Sequence, residues 1–310
     1  MAGNFRTVLS KLPRLVGGEL RKWRPAPGWA RPQQPVIAMT LLCKNESDII
    51  RQHLAYHLPR VDFLIVTDNG STDGTREMLA AFESERVTVL DDPTPHYGQL
   101  EVVDQMIRMA RDRGADWVIN SDADEFWVGD FQAVAQKYQR RWYSRLRAQS
   151  FRMRPCCAEN AGEPDPIARM RWRDRAPDKE GRKVFHDTAR YLKIAQGNHR
   201  VAVRGGRRGE LPPDEMRICH YQWRGFEHYL RKCVNGAKSY EGSGLPETKG
   251  GHWKRVYNVW KAKGEQGVRD LYEREVYVSE GGMGELVRDD TVAAALGLTK
   301  SPQESSMAKP

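Results

Sequence analysis

From residue 35 onward, short apolar runs alternate with longer stretches in which apolar residues recur every three or four positions. Val36-Ile37-Ala38-Met39-Thr40-Leu41-Leu42-Cys43 is a nearly continuous apolar run, as expected of a strand buried on both faces. After Lys44-Asn45-Glu46-Ser47 the period lengthens. Ile49, Ile50, Leu54 and Leu58 fall on one helical face, and Pro59 ends it. The same reading predicts strands over 61–67 and 87–90, a helix through Met78, Leu79 and Phe82, and another through Leu100, Val103, Ile107 and Ala110. A fourth strand, Trp117-Val118-Ile119-Asn120, runs into Asp122-Ala123-Asp124-Glu125-Phe126. Strands alternating with helices in this way predict an α/β fold: a mainly parallel, Rossmann-like sheet with helices on both faces. The polar clusters 44–47, 68–74 and 122–125 each follow a strand, and open α/β sheets bind ligands beyond the carboxyl ends of their strands.

The pattern loosens past residue 130. It predicts a helix through Phe131, Val134, Ala135 and Tyr138, a strand over 151–154, and a Pro- and Asp-rich loop to about 178. Short strands are expected near 183–185 and 200–203. Ile218-Cys219-His220-Tyr221 precedes a helix carrying Phe226, Tyr229, Leu230 and Val234. The expected organisation is an N-terminal arm over 1–34, the sheet domain over 35–240, a helical extension over 241–298 and a polar tail over 299–310.

Composition narrows the class. At 39% apolar and 29% charged residues the chain can bury a core, so it is not disordered. No apolar run approaches the roughly 18 residues of a spanning helix. Five cysteines (Cys43, Cys156, Cys157, Cys219, Cys233) form no Cys-X-X-Cys, which fits reduced thiols in a cytoplasmic protein. The net charge of +9 is concentrated in the arm, where seven basic residues oppose Glu19. With apolar residues at helix-like spacing, that arm is either a peripheral anchor for an anionic membrane surface or a disordered leader. The nearly neutral remainder argues against nucleic acid as the main partner.

Asp122 and Asp124 are the first candidates for chemistry. In an extended segment, side chains two apart share a side, so both carboxylates would converge on one cation. The bland alternative is a solvated acidic loop. His53 and His57 have the i, i+4 spacing of a helical metal pair but no acid follows in a His-Glu-X-X-His pattern, which favours rings that are exposed or packed on the helix. His220 and His199 are each either ligands or structural histidines.

Four features together resemble the family 2 glycosyltransferases of GT-A fold. These are Lys44-Asn45-Glu46 after the first strand, Asp68-Asn69-Gly70-Ser71-Thr72-Asp73-Gly74-Thr75, Asp122-Ala123-Asp124-Glu125-Phe126, and His220-Tyr221 leading a helix with Lys232 and Gly236. The last two resemble a shorter branch with Asp-X-Asp-Glu-Phe, and the likeness spans about residues 35–236. It implies a metal-dependent inverting enzyme that moves a sugar from a UDP- or GDP-sugar to a saccharide or glycolipid acceptor, as in surface polysaccharide synthesis. Asp68 would meet the base, with Asn45 and Glu46 lining the same pocket. Asp122 would face ribose or metal, and Asp124 and His220 would hold Mn²⁺ or Mg²⁺, which suit hard ligands near a diphosphate. Lys183 and the group Arg204, Arg207 and Arg208 would neutralise the diphosphate, unless they are solvated charges. Glu159 and Glu163 are candidate bases for the acceptor hydroxyl, Asp165 a further one by position; no acid pair follows the Asp-X-Asp as in longer family members. Arg140-Arg141-Trp142-Tyr143 is either an acceptor-binding face or the end of an amphipathic helix. Two other readings remain: a non-catalytic nucleotide-sugar or membrane-surface binding protein, and an Asp-X-Asp phosphotransferase or phosphatase. Against the last, Glu125 follows the pair, which lies on the fourth strand rather than the first.

Overall fold

The four apolar runs form a parallel sheet with the helices between them packed against it. A computed structural model describes residues 32–92, 99–155, 162–179, 181–240, 250–278 and 280–299. The first elements are β1 (Ile37–Cys43), α1 (Ile50–His57), β2 (Phe63–Asp68), α2 (Thr75–Ala80), β3 (Val87–Asp91), α3 (Gln99–Asp112) and β4 (Trp117–Ser121). In space the order is β3-β2-β1-β4, all parallel, with Met39 opposite Leu64 on one side and Ile119 on the other. Alternate residues serve opposite faces. Met39 and Leu41 pack with Ile50, Leu54 and Leu79 of α1 and α2. Ala38 and Ile65 pack with Val103, Met106 and Ile107 of α3. Burial on both faces is why these strands read as continuous apolar runs.

Beyond β4 the sheet is mixed, so the expected parallel character holds only for its first half. The next elements are β5 (Glu125–Gly129), α4 (Phe131–Gln139), β6 (Tyr143–Arg154), α5 (Pro166–Arg169), β7 (Trp172–Asp174), β8 (Lys183–Asp187), β9 (Tyr191–Ile194), β10 (Val201–Val203), β11 (Arg207–Glu210) and β12 (Met216–His220). β8 runs antiparallel to β4, pairing Ile119 with Phe185, which carries Lys183 back to the carboxyl end of β4. β12 lies between β5 and β6 and sets His220 opposite Glu125 and Arg152. β5, β7, β9 and β11 were not expected from the pattern. They are three to five residues long, too short for alternation to register.

The C-terminal elements are α6 (Phe226–Tyr240), α7 (Gly251–Glu275), β13 (Leu286–Arg288) and α8 (Thr291–Ala295). β13 pairs antiparallel with β7, so the stretch expected to be a helical extension also adds a strand to the sheet. α7 cannot be straight. Arg255 and Glu275 would lie about 30 Å apart along a continuous helix, yet Arg255 Nη1 donates to Glu275 Oε1 at 3.0 Å. The helix doubles back at Gly264, whose φ of 65° and ψ of −162° are open only to glycine. Val256 on one arm and Val268, Leu271 and Tyr272 on the other close around Phe226, Tyr229 and Cys233 of α6. Among the described residues, no helix is long and apolar enough to cross a membrane. Residues 1–31 and 300–310, covering most of the arm and nearly all of the tail, lie outside the described residues.

His53 and His57 are wholly buried on α1. The His57 Nδ1–H donates to the His53 carbonyl at 2.9 Å, and its Nε2 accepts from Trp127 N at 3.1 Å, so both ring nitrogens are used within the fold. Burial pushes His57 well below the usual histidine range and pushes His186 down to about 4. Such a ring stays neutral in the folded chain while the unfolded chain takes up a proton below about pH 6.5. Its stability contribution is therefore present above that pH and lost as pH falls toward the folded value. We expect urea-unfolding free energy to fall by about 2 kcal/mol per buried ring between pH 7 and pH 5; a flat profile would mean that the rings titrate normally. Gly264→Ala should cost about 1–3 kcal/mol, read as a lower melting temperature; an unchanged melt would contradict the reversal there.

Candidate active site

β4 delivers its carboxylates into a turn, not an extended segment. The strand ends at Ser121, and the Glu125 N–H donates to the Asp122 carbonyl at 3.0 Å, closing four residues before β5 begins. This overturns the expectation that Asp122 and Asp124 share one side. The chain must reverse to bring β5 alongside β12, and the turn that does so sends the two side chains to different partners. Asp122 accepts from Lys183 Nζ at 2.5 Å and Asn198 Nδ2 at 3.4 Å. Asp124 accepts from Lys232 Nζ at 2.6 Å, and its Oδ1 lies 3.4 Å from His220 Nε2.

The charges around this turn are layered. Lys183, only 3% exposed, lies between Asp122 and Glu125, 3.0 Å from the latter. Glu125 in turn accepts the Asp122 N–H at 3.2 Å, so it props the turn from beneath. Burial pushes Glu125 up to about 7; Lys183 opposes this, but its ammonium is shared with Asp122. Burial would discharge Lys183, yet Asp122 and Glu125 outweigh it and hold the ammonium above its ordinary range. On the other side, the buried Arg224 guanidinium grips Glu46 at 2.5 Å and Asp48 at 2.7 Å, and Lys232 reaches Glu46 at 3.4 Å. For Asp124, burial raises the carboxyl, but Lys232 and then His220 prevail and hold it well below the usual range. For His220, burial disfavours the charged ring and Asp124 more than compensates, so its shift is upward. Glu46, Asp48, Asp122, Asp124 and Glu125 thus face Lys183, Arg224 and Lys232 as fixed cations, leaving an excess of negative charge.

Asp68 ends β2 nearby. Its Oδ2 accepts from Ser71 N at 2.9 Å, while its Oδ1 is buried without a protein partner. Leaving a buried carboxylate oxygen unpaired is costly, so one facing a strand-end loop marks a place for a donor. Asn45, at a left-handed φ of 56°, joins the β1 and β2 loops: its N–H donates to Ser71 Oγ and its Oδ1 accepts from Thr72 N at 2.8 Å. Its side chain therefore braces the pocket wall. Arg169 bridges the carbonyls of Glu163 and Arg224, which draws the Glu163 loop to the rim of this cluster. Glu159 lies outside the described residues. The His199 Nδ1–H donates to the Arg182 carbonyl at 3.0 Å, and it is the neighbouring Asn198 that reaches Asp122. Arg207 and Arg208 pair with the Tyr143 end of β6, whereas His220 lies opposite Arg152. Lys183 pairs with Ala148, about 16 Å of strand from Tyr143, and His220 lies about 30 Å from it, so this arginine group sits toward the amino end of β4, away from the strand ends that present the acids.

The donor set around Asp124 fits a hard divalent ion. A carboxylate oxygen and an imidazole nitrogen 3.4 Å apart can share one cation, and the surrounding acids outnumber the cations. A second set, Glu46, Asp48 and His228, has ligand atoms within 4.8 Å of one another. There the Arg224 guanidinium already bridges both acids, and the Arg224 backbone N–H donates to His228 Nδ1 at 3.4 Å. Asp48, Arg224 and His228 were not singled out from sequence. Asp48 two residues after Glu46 was the available signal, but its partner is 176 positions away. Lys183→Met should destabilise the fold by about 3–5 kcal/mol, chiefly by leaving the buried Glu125 carboxylate without its cation; loss of under 1 kcal/mol in urea unfolding would contradict the assignment.

Residues 41–144 match the family model for Glycosyl transferase family 2, a span that includes Glu46, Asp68, Asp122 and Asp124 and ends before Lys183, His220 and Lys232. No curated protein matches the chain. Among solved structures, a mannosyltransferase from Pyrobaculum calidifontis in complex with GDP-Man and Mn²⁺ is 14% identical, with a TM-score of 0.40 over 89% of this chain and 81% of that one. Glucosyl-3-phosphoglycerate synthase from Mycobacterium tuberculosis, in complex with Mn²⁺, UDP and glucosyl-3-phosphoglycerate, is 16% identical, with a TM-score of 0.34 over 69% and 82%. TarS (residues 1–349) from S. aureus is 12% identical, with a TM-score of 0.38 over 77% and 73%. These likenesses are loose, and the reading of the site rests on the chain's own residues and the matched segment.

Proposed function

We propose that the chain is a metal-dependent, inverting glycosyltransferase of GT-A fold that takes its sugar from a nucleoside diphosphate donor. The observation that carries the reading is the placement of Asp68 at, and Asp124 just beyond, the carboxyl ends of β2 and β4, the two parallel strands that flank β1. One has a buried oxygen without a partner; the other faces His220 and an ammonium within an excess of acid. Both lie in the segment that matches the glycosyltransferase family model.

In this reading the free Asp68 oxygen accepts an N–H from the nucleotide base. Asp122, partly exposed and already held by Lys183 and Asn198, presents its remaining acceptor capacity to the ribose. Asp124 and His220 hold Mn²⁺ or Mg²⁺, which when bound offsets the charge developing on the departing diphosphate. Lys232 lies between Asp124 and Glu46, so its ammonium can turn from the acid to a donor phosphate without leaving the site. Lys183 keeps the Asp122–Glu125 turn in place from below. A carboxylate must deprotonate the acceptor hydroxyl on the far side of the sugar, and Glu163 and Glu159 are the candidates by position. The acceptor is a saccharide or glycolipid, and surface polysaccharide assembly is the process this chemistry would serve.

Titration with UDP- and GDP-sugars, with and without Mn²⁺, followed by tryptophan fluorescence, tests the reading. Binding should need the metal and be lost in Asp124→Ala; equal binding without metal would overturn it. Slow hydrolysis of one labelled donor then separates an enzyme from a mere binder. Lys232→Met provides a sign test. Removing the ammonium that competes for Asp124 should tighten Mn²⁺ binding measured alone while lowering turnover, and weaker Mn²⁺ binding would argue against a shared carboxylate.

A further inference from the structure

A second charged surface lies at the Tyr143 end of β6, toward the amino end of β4 and away from the acids. Arg140, Arg141 and Trp142 follow α4, and Arg204, Arg207 and Arg208 lie on and before β11. Their backbones are joined: Arg207 N donates to the Trp142 carbonyl at 2.7 Å, and Arg204 N to the Arg190 carbonyl at 2.7 Å. The Arg190 guanidinium stands 5.7 Å from the centre of the Trp142 ring. All of these arginines except Arg190 are exposed. The nearby acids are engaged elsewhere, Glu210 with Arg147 and Arg182, and Asp187 with Arg190. Among the described residues, none of Arg140, Arg141, Arg204, Arg207 and Arg208 forms an ion pair with a carboxylate. Burial, and then the charges of Arg208 and Arg147, pull the Arg145 guanidinium down, a sign of cationic crowding.

Trp142 is 52% exposed and sits at φ 64°, a left-handed position just past a helix end that ordinarily takes Gly or Asn. Packing does not explain a large indole kept there at a conformational cost. Leu192, 45% exposed, follows Arg190 by two residues. The N-terminal arm also reaches this corner, because Gln139 Nε2 donates to the Pro32 carbonyl at 2.7 Å, three residues before Trp142. Residues 1–31, outside the described residues, contain seven basic residues and one acid.

We propose that this arginine–tryptophan corner docks the protein on an anionic phospholipid membrane, with Trp142 and Leu192 entering the interface and the arginines meeting lipid phosphates. Guanidinium groups and an indole suit the headgroup level, where apolar bodies and charged heads are accommodated together. A soluble polyanion would use the arginines but gain nothing from an exposed leucine. With Lys183 about 16 Å and His220 about 30 Å of strand away from Tyr143, at the other end of the parallel strands, a chain docked in this way faces the site away from the bilayer. That arrangement favours an acceptor group that projects into solution. The proposal does not depend on the glycosyltransferase reading.

The test is flotation of the full chain with vesicles of phosphatidylcholine alone or with about one-third phosphatidylglycerol added. Binding should need the anionic lipid and weaken with salt. Joint Arg204→Gln, Arg207→Gln and Arg208→Gln should weaken it by about five-fold for each charge removed. Trp142→Gly supplies a variant that should fold at least as well, since glycine suits this φ. It should also bind vesicles less and lose part of the fluorescence quenching by brominated lipid. Wild-type binding by both variants would mean that the arm alone holds the membrane, and would overturn the proposal. Retention on a sulfated polysaccharide without vesicle binding would overturn it in favour of a soluble polyanion.

Discussion

Five carboxylates converge at the carboxyl end of β4 and have only three fixed cations among them. Gathering like charges in a partly buried place is unfavourable unless each finds a counterion. The fold meets that constraint from far along the chain: Lys183 from β8, Arg224 from the approach to α6, and Lys232 from α6 itself. Each closes a gap of 61 to 178 residues. The mixed second half of the sheet and α6 beyond it therefore do more than complete the core. They return cations to acids that the parallel half presents.

The compensation is uneven, and that unevenness gives the site its character. Lys183 and Arg224 are deeply buried and held by two acids each, which suits bracing. Lys232 is partly exposed and divides itself between Glu46 and Asp124. His220 stands beside the other Asp124 oxygen. Asp124 is thus the carboxylate whose counterion is most easily exchanged, whereas the buried Glu125 is committed to the backbone of Asp122 and to Lys183.

The rest of the molecule separates its charges. The arginines of β11 resemble a diphosphate clamp when read as a string, yet β6 carries them to the far edge of the sheet. There they surround an exposed tryptophan instead of an acid. The helical hairpin of α7 shows a similar division between local and long-range order. Its two arms follow ordinary helix chemistry, while Gly264 and the Arg255–Glu275 pair decide that they fold together.

The sequence by itself determined the parallel half of the sheet, because strands buried on both faces must be apolar throughout and helices packed on one face must be periodic. It also located Asp68, Asp122 and Asp124 at strand ends, since polar residues that abruptly follow a buried strand have few other reasons to be there. It could not show that the Asp-X-Asp lies in a turn: side-chain alternation assumes an extended backbone, and the reversal here is imposed by the pairing of β5 with β12. Nor could it assign Asp48, Arg224 or His228, whose roles come from contacts between distant segments that leave no local period. The same holds for Asn198 in place of His199, and for the short strands β5, β7, β9, β11 and β13. Three to five residues are too few to carry a pattern, and only the neighbours with which they pair make them strands.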